Sequence, residues 1–144
     1  MNYMKEKKKK YDLLIINCGL HDVRIDRKNL EMQTNEDQYK ENLNKIINLG
    51  KQLADKLIWI TTTHVNDAIH NNRKDGYLRY NKDVIKYNEI ANKIMKLNNI
   101  KIIDLYDFTK KLENNDMYRD HVHFKDNISK QQAEFIYKNI EEYL

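Results

Sequence analysis

The sequence has no proline, three glycines, one cysteine, one tryptophan and a single serine in 144 residues. At an average usage of ~5%, a chain of this length would carry about seven prolines. One cysteine leaves no disulfide framework and no CxxC zinc pattern. Long apolar runs are also missing, and nothing approaches the ~20 residues of a membrane span. The aliphatic run Leu13-Leu14-Ile15-Ile16 follows a lysine-rich stretch, as in a secretory signal, but Asp12 and Asn17 cut it short. A signal needs an apolar region of about 7–15 residues and small residues at a cleavage site. A lipoprotein-type reading of Cys18 fails on the bulky, polar Asn17 before it. The expected location is cytoplasmic.

The length fits one domain, able to bury roughly 68–70% of its unfolded surface without staples. Charged residues make up 33% of the chain and hydrophobic ones 40%. Lys, Asn and Ile are abundant and Arg is sparse, a skew of A/T-rich codons that lowers the weight of any single Lys or Asn. The formal net charge is +4. Lys5, Lys7, Lys8, Lys9 and Lys10 against Glu6 account for that excess, so residues 1–10 read as a basic tail and the rest of the chain is balanced. A nucleic-acid binder carries its basic excess on a folded face, and neither nucleic acid nor membrane is expected as a partner.

Periodicity organises residues 11–144. Tyr11 to Ile16 reads as a buried strand ending in Asn17-Cys18-Gly19. Thr34 or Asn35 caps a helix reaching about Ala54, with Tyr39, Leu43, Ile46, Ile47 and Leu53 near helical spacing. Lys56 to Thr63 reads as a second strand, His64 to Arg79 as a long polar loop containing Asp75-Gly76. Tyr80 to Leu97 is an amphipathic helix bearing Val84, Tyr87, Ala91, Ile94 and Met95. Ile100 to Ile103 is a third strand, Asp104 to Leu112 a short helix, and Glu113 to Asn127 a loop. Ser129 and Gln132 form a capping box for a last helix bearing Ala133, Ile136, Ile140 and Leu144. Strands alternating with helices predict a doubly wound parallel α/β sheet in three layers. Its functional crevice lies beyond the carboxyl ends of the strands.

Four of the five histidines, His21, His64, His121 and His123, fall in loops at that edge or just beyond it, with Asp22 and Asp120; His70 sits in polar surroundings and is expected on the surface. In Asp120-His121-Val122-His123, the carboxylate can accept a hydrogen bond from the His123 Nδ1–H and leave Nε2 as a general base. In Asn17-Cys18-Gly19-Leu20-His21-Asp22, Gly19 permits a tight turn directly after a strand.

In this order the two units resemble the SGNH (GDSL-type) hydrolases. The segment YDLLIINCGLHD is similar to the block in which a strand runs into G-x-N-D, IWITTTHV to the following strand, and DHVHF to the last block, D-x-x-H-F. The resemblance spans roughly residues 11–144. It implies a flavodoxin-like fold and ester hydrolysis, acyl or acetyl, by a Ser-His-Asp mechanism without a cofactor. It further implies a small-molecule or carbohydrate ester as substrate. Asp120 and His123 would be the orienting acid and the base. Gly19 and His21 would serve the oxyanion or substrate, His21 standing where the family has an asparagine. Asp22 is expected to anchor the turn.

The departures matter as much. The G-D-S block with the nucleophile and the block with the oxyanion glycine have no match in residues 1–144, so the domain reads as the C-terminal portion of the fold, truncated at its N-terminus. Ser129 is assigned to the helix cap and Thr61, Thr62 and Thr63 to strand and turn. Cys18 is placed in a turn with no reason to point at His123. In the family's strand order 2-1-3-4-5, residues 13–16 would expose an apolar edge. A homodimer, poor solubility or a complementing N-terminal fragment is therefore expected. Two rival readings stand beside the hydrolase. One is a catalytically inactive binding or scaffold module. The other is a metal-dependent hydrolase using His121 and His123 with His21, Asp22 or His64. Tyr77, Tyr80 and Tyr118 are candidates for a pocket lining, but the sequence names no substrate.

Overall fold

A computed structural model describes residues 10–74, 76–112 and 116–144. Nearly all of the basic tail, Asp75 of the Asp75-Gly76 turn and residues 113–115 of the expected loop lie outside these. Three parallel strands form the sheet in the order β1 (Tyr11–Ile16), β2 (Ala54–Ile60), β3 (Lys101–Ile103). Ile16 stands opposite Trp59 across one pair, and Trp59 opposite Ile102 across the other. Successive side chains on a strand point to opposite faces, and β2 uses both. Leu57 and Trp59 pack with helices α1 (Glu36–Leu53) and α3 (Asn81–Leu97) on one side. Ile58 and Ile60 pack with Leu105 of α4 (Leu105–Lys111) and with Phe135, Ile136 and Ile140 of α5 (Asp126–Ile140) on the other. The result is the three-layer α/β/α arrangement with a parallel sheet that the alternation of elements predicts.

Local chemistry sets each helix in place. Asn35 caps α1 by accepting from the Gln38 N–H at 2.9 Å, relieving one of the unpaired donors at the helix start. Tyr39, Leu43, Ile47 and Gly50 form its buried stripe. Gly50 lets the helix sit tightly on β2, since a Cβ there would lie 3.0 Å from the Leu57 side chain. Tyr39 and Tyr87 join α1 to α3, with ring centres 4.7 Å apart. Asp104 caps α4 through the Asp107 N–H at 3.0 Å. No helix among the described residues is long and apolar enough to cross a membrane.

The structure corrects four expectations. The polar stretch after β2 is not only loop: Asn66 accepts from the Ile69 N–H and caps a five-residue helix, α2 (Asp67–Asn71). His70, expected at the surface, is fully buried there, because that single turn points its ring inward to backbone carbonyls. Ser129 and Gln132 do not make the capping box. The helix begins a turn earlier, at Asp126, and the Ser129 N–H already donates to the Lys125 carbonyl at 2.9 Å. Gln132 instead donates to Thr109 Oγ1 of α4 at 2.9 Å. On α5, Ala133 is exposed and Leu144 beyond it is 79% exposed, while Ile128 and Phe135 take the inward positions.

The threonines after β2 are consumed by the framework. Thr61 donates from Oγ1 to Asp104 at 3.1 Å and accepts from the Tyr106 N–H at 2.9 Å. Asn88 of α3 holds both polar groups of the Thr62 backbone, accepting its N–H at 2.9 Å and donating to its carbonyl at 2.8 Å. Leaving two buried backbone groups unpaired costs about 1–3 kcal/mol each. Asn88→Ala should therefore lower unfolding stability in urea by about 1–3 kcal/mol, after allowance for partial rescue by water. An unchanged midpoint would show that the clamp holds nothing.

Candidate active site

Residues 117–125 fold back on themselves as a narrow hairpin. Tyr118 and Phe124 pair as an antiparallel bridge, and Lys125 N–H donates to the Met117 carbonyl at 2.9 Å. Near the tip, Arg119 N–H donates to the His123 carbonyl at 2.8 Å. This turn puts Asp120 and His123 side by side. Asp120 Oδ1 accepts from the backbone N–H groups of Val122 and His123, each at 2.8 Å. Its Oδ2 lies 2.6 Å from His123 Nδ1. The two backbone donors and then the imidazole hold the Asp120 carboxyl well below the usual carboxylate range. Asp120 is thus an acceptor at every working pH, the Nδ1 proton of His123 is committed to it, and Nε2 remains for chemistry.

His64 does not join this pair. It is buried beneath the hairpin among Tyr106, Tyr118 and Phe124, with ring centres 5.8–6.1 Å away. His121 turns toward His70, their ring centres 5.1 Å apart. Among the described residues, no three of His, Cys, Asp or Glu are grouped as a metal would need, so the ligand set of the metal-dependent reading is not assembled.

The loop after β1 is shaped by one glycine. Gly19 has φ +146°, and a Cβ on it would meet Thr62 Oγ1 at 2.6 Å, so only glycine fits so close to the exit of β2. Thr62 Oγ1 and the Tyr39 hydroxyl both donate to the Cys18 carbonyl, at 3.3 and 3.1 Å. Asn17 Nδ2 donates to the Ile60 carbonyl at 2.8 Å, tying the loop to β2. His21 is exposed, with Nε2 3.2 Å from Arg24 Nη2. Desolvation, Arg24 and Arg79 lower its pKa. The neutral ring accepts from Arg24 at Nε2 and keeps its proton on Nδ1. Cys18 is a poor nucleophile, since burial and Asp22 push its thiol up to about 11.

A cleft of about 440 Å³ opens at the strand ends between these two loops. His123, Val122 and Arg119 line it from the hairpin, Leu20 and Asn17 from the β1 loop, Thr61, Thr62 and Thr63 from β2, and Ser129, Gln132 and Ile136 from α5. Of the four residues singled out from sequence, His123 lines the cleft with Asp120 behind it. Gly19 and His21 flank Leu20 without lining it themselves. Sequence reading missed Asn17, whose amide reaches the wall only because β1 and β2 are neighbours. It also missed Ser129 at the rim, because the S-x-x-Q pattern suggested a cap.

The chain superposes on solved structures at low sequence identity. A lipase/acylhydrolase from Enterococcus faecalis is 20% identical with a TM-score of 0.70, covering 94% of this chain and 63% of that one. A GDSL-like lipase from Bacteroides thetaiotaomicron is 22% identical with a TM-score of 0.69, covering 92% and 63%. An acetyl xylan esterase variant from Geobacillus stearothermophilus is 18% identical with a TM-score of 0.66, covering 90% and 59%. This chain has the fold of those SGNH-type structures and spans about three fifths of their length. No protein-family model matches the chain, and no curated protein sequence is similar to it.

The position of Asp120 on the pH scale follows from its three donors. A carbon-detected titration should place its carboxyl midpoint well below the ~3.9 of an unperturbed aspartate. A group depressed in the folded state contributes stability that is present above the unfolded pKa and lost as pH falls through the folded one. The hairpin's contribution should thus persist at pH 4 and fade only in stronger acid. A midpoint at or above the ordinary value would contradict the geometry.

Proposed function

We propose that this chain carries the acid–base half of an ester hydrolase of the SGNH type, acting on acetyl or short acyl esters of small molecules or carbohydrates. The observation that supports it is the Asp120–His123 pair at 2.6 Å, opening on a cleft at the strand ends. His123 Nε2 takes the proton of an attacking hydroxyl as its oxygen bonds to the ester carbonyl carbon and the carbonyl oxygen becomes an oxyanion. Collapse breaks the bond to the leaving alkoxide, which receives that proton, and water then cleaves the acyl intermediate by the same route. Gly19 and His21 flank the wall residue Leu20, and a His21 imidazole turned into the cleft would donate to the oxyanion through Nδ1–H, the nitrogen that does not face Arg24. Similarity of fold to an acetyl xylan esterase and to lipases supports the reaction class and leaves the acyl group and alcohol open.

The chain contains no G-D-S sequence, and its one serine, Ser129, sits on α5 at the rim of the cleft. That observation favours a second reading, a binding module without hydrolytic activity. Short acyl ester hydrolysis by the chain completed with a strand carrying the G-D-S serine, reduced about 10²–10⁴-fold in His123→Ala, is the expected result. An unchanged rate in His123→Ala overturns the assignment of His123. No turnover by the completed chain, together with no adduct from a serine-directed phosphonate, makes the binding module the better reading.

The same proposal assigns a role to the sheet edge. Among the described residues no strand pairs with the far side of β1, and Ile15 on it is 37% exposed. A parallel strand edge with aliphatic side chains is a template for another strand. We assign that place to a further strand, from a copy of this chain or from a segment bearing the nucleophile. Light scattering of the purified 144-residue chain should show a dimer or larger species. A monodisperse, stable monomer would remove this part of the proposal.

A further inference from the structure

The two loops that frame the cleft are far apart in sequence, yet one buried pair of side chains touches both. His70 is fully buried and Arg79 is 6% exposed. Arg79 donates from Nε to the carbonyl of Leu20, in the β1 loop, at 2.8 Å. Its Nη1 lies 3.2 Å from His70 Nε2. The Nδ1 of His70 lies 3.4 Å from the carbonyl of His121, in the hairpin between Asp120 and His123. Three successive contacts therefore run from the residue beside His21 to His121, two positions before His123.

Two groups compete for His70 Nε2: Arg79 Nη1, which can only donate, and the Tyr77 carbonyl, which can only accept, each at 3.2 Å. This run of contacts takes the tautomer in which Nε2 accepts from Arg79 and the ring proton sits on Nδ1, pointing at the His121 carbonyl. Burial first, and Arg79 second, push the His70 pKa down and keep the ring neutral. Arg79 is itself lowered to about 10 by burial and by Arg24 and Arg73, still a cation at neutral pH. The backbone of Arg79 is held in turn: Asn71 Nδ2 donates to its carbonyl at 2.7 Å and Asn71 Oδ1 accepts its N–H at 2.9 Å. Leu78 beside it pairs with Ile25 beyond the β1 loop. Neither His70 nor Arg79 lines the cleft, so neither is placed to touch a substrate.

We propose that His70 and Arg79 are positioning residues that lock the loop bearing His21 to the hairpin bearing Asp120 and His123. The catalytic meaning of this brace rests on the hydrolase reading above; its structural meaning does not. A wall built from two independent loops holds a reacting ester in line with His123 only if the loops keep a fixed spacing, and a displacement of about 1 Å can cost 10²-fold in rate.

The test is solution NMR of the full chain together with ester kinetics. In the wild type, long-range nitrogen spectra should show His70 as the neutral Nδ1–H tautomer; a proton on Nε2, given to the Tyr77 carbonyl, would overturn the brace. His70→Phe fills the ring's volume and removes both polar atoms, and the amides of residues 20–22 and 121–123 should move together. His70→Asn restores a donor near the Nδ1 position and should return the 121–123 set toward the wild type. Arg79→Lys keeps the charge but loses the planar fork, and should displace residues 20–22. Shifts confined to residues 70–79, or identical loop shifts in His70→Asn and His70→Phe, would overturn the brace. Should His70→Phe not fold, Arg79→Lys decides alone, and unmoved 20–22 amides overturn the proposal. In the kinetics of the chain completed with the G-D-S strand, Arg79→Lys should lower kcat by about tenfold or more with KM little changed; a wild-type kcat would also overturn it. Loops that shift as stated while the chain completed with the G-D-S strand hydrolyses no ester would sink the hydrolase reading and leave the brace standing.

Discussion

Parallel pairing of β2 with a strand on each side is the constraint from which the rest follows. Parallel neighbours cannot be joined by a tight turn, so each connection must cross the sheet, here through α1 and α3. Every strand then ends at the same edge. The residues leaving β1, β2 and β3, at Asn17, Thr61 and Asp104, become spatial neighbours although more than forty positions separate each from the next. The bonds Asn17 to Ile60 and Thr61 to Asp104 are the direct expression of that convergence. The cleft is what remains between the strand ends when the last hairpin and α5 close over them.

Polar groups at this edge divide into those spent on the framework and those left for chemistry. Thr61, Thr62 and Asn88 satisfy one another and the backbone around them, and Cys18 is raised out of the reactive range. The five histidines show the same division. His64 packs in an aromatic cage, His70 braces loops, His121 lies tilted against His70, and His21 answers to Arg24. Only His123 combines a carboxylate on one nitrogen with a side chain 64% exposed. Position relative to the sheet edge gathers these residues; the identity of the second partner decides what each one does.

That distinction explains what could be read from the sequence. The long helices and the three strands were legible because their apolar spacing is set by the same burial that builds the core, as at Tyr39, Leu43 and Ile47. The Asp120–His123 pair was legible because three residues of turn suffice to close it, a purely local geometry. His70 was not legible: its polar neighbours suggested solvent, whereas its partners are carbonyls seven and fifty-one positions away. The five-residue helix that turns it inward is too short to carry a periodic pattern. Ser129 was misread for the opposite reason, since its S-x-x-Q pattern is a sound local signal that the earlier helix start at Asp126 overrides.

The hairpin at 117–125 shows how an exposed pair can still have a fixed electrostatic state. Solvent screens charges at the surface, and an isolated exposed ion pair is worth little. Asp120 does not depend on a distant charge. Two of its three donors are backbone N–H groups of the same turn, held by the bridge between Tyr118 and Phe124. Those dipoles cannot swing away without opening the hairpin, and the buried ring of His64 packs beneath it. Covalent geometry and packing, rather than burial of the carboxylate, therefore keep Asp120 ionised. That leaves the His123 ring open to solvent while Asp120 sets its orientation, a combination that a buried ion pair could not provide.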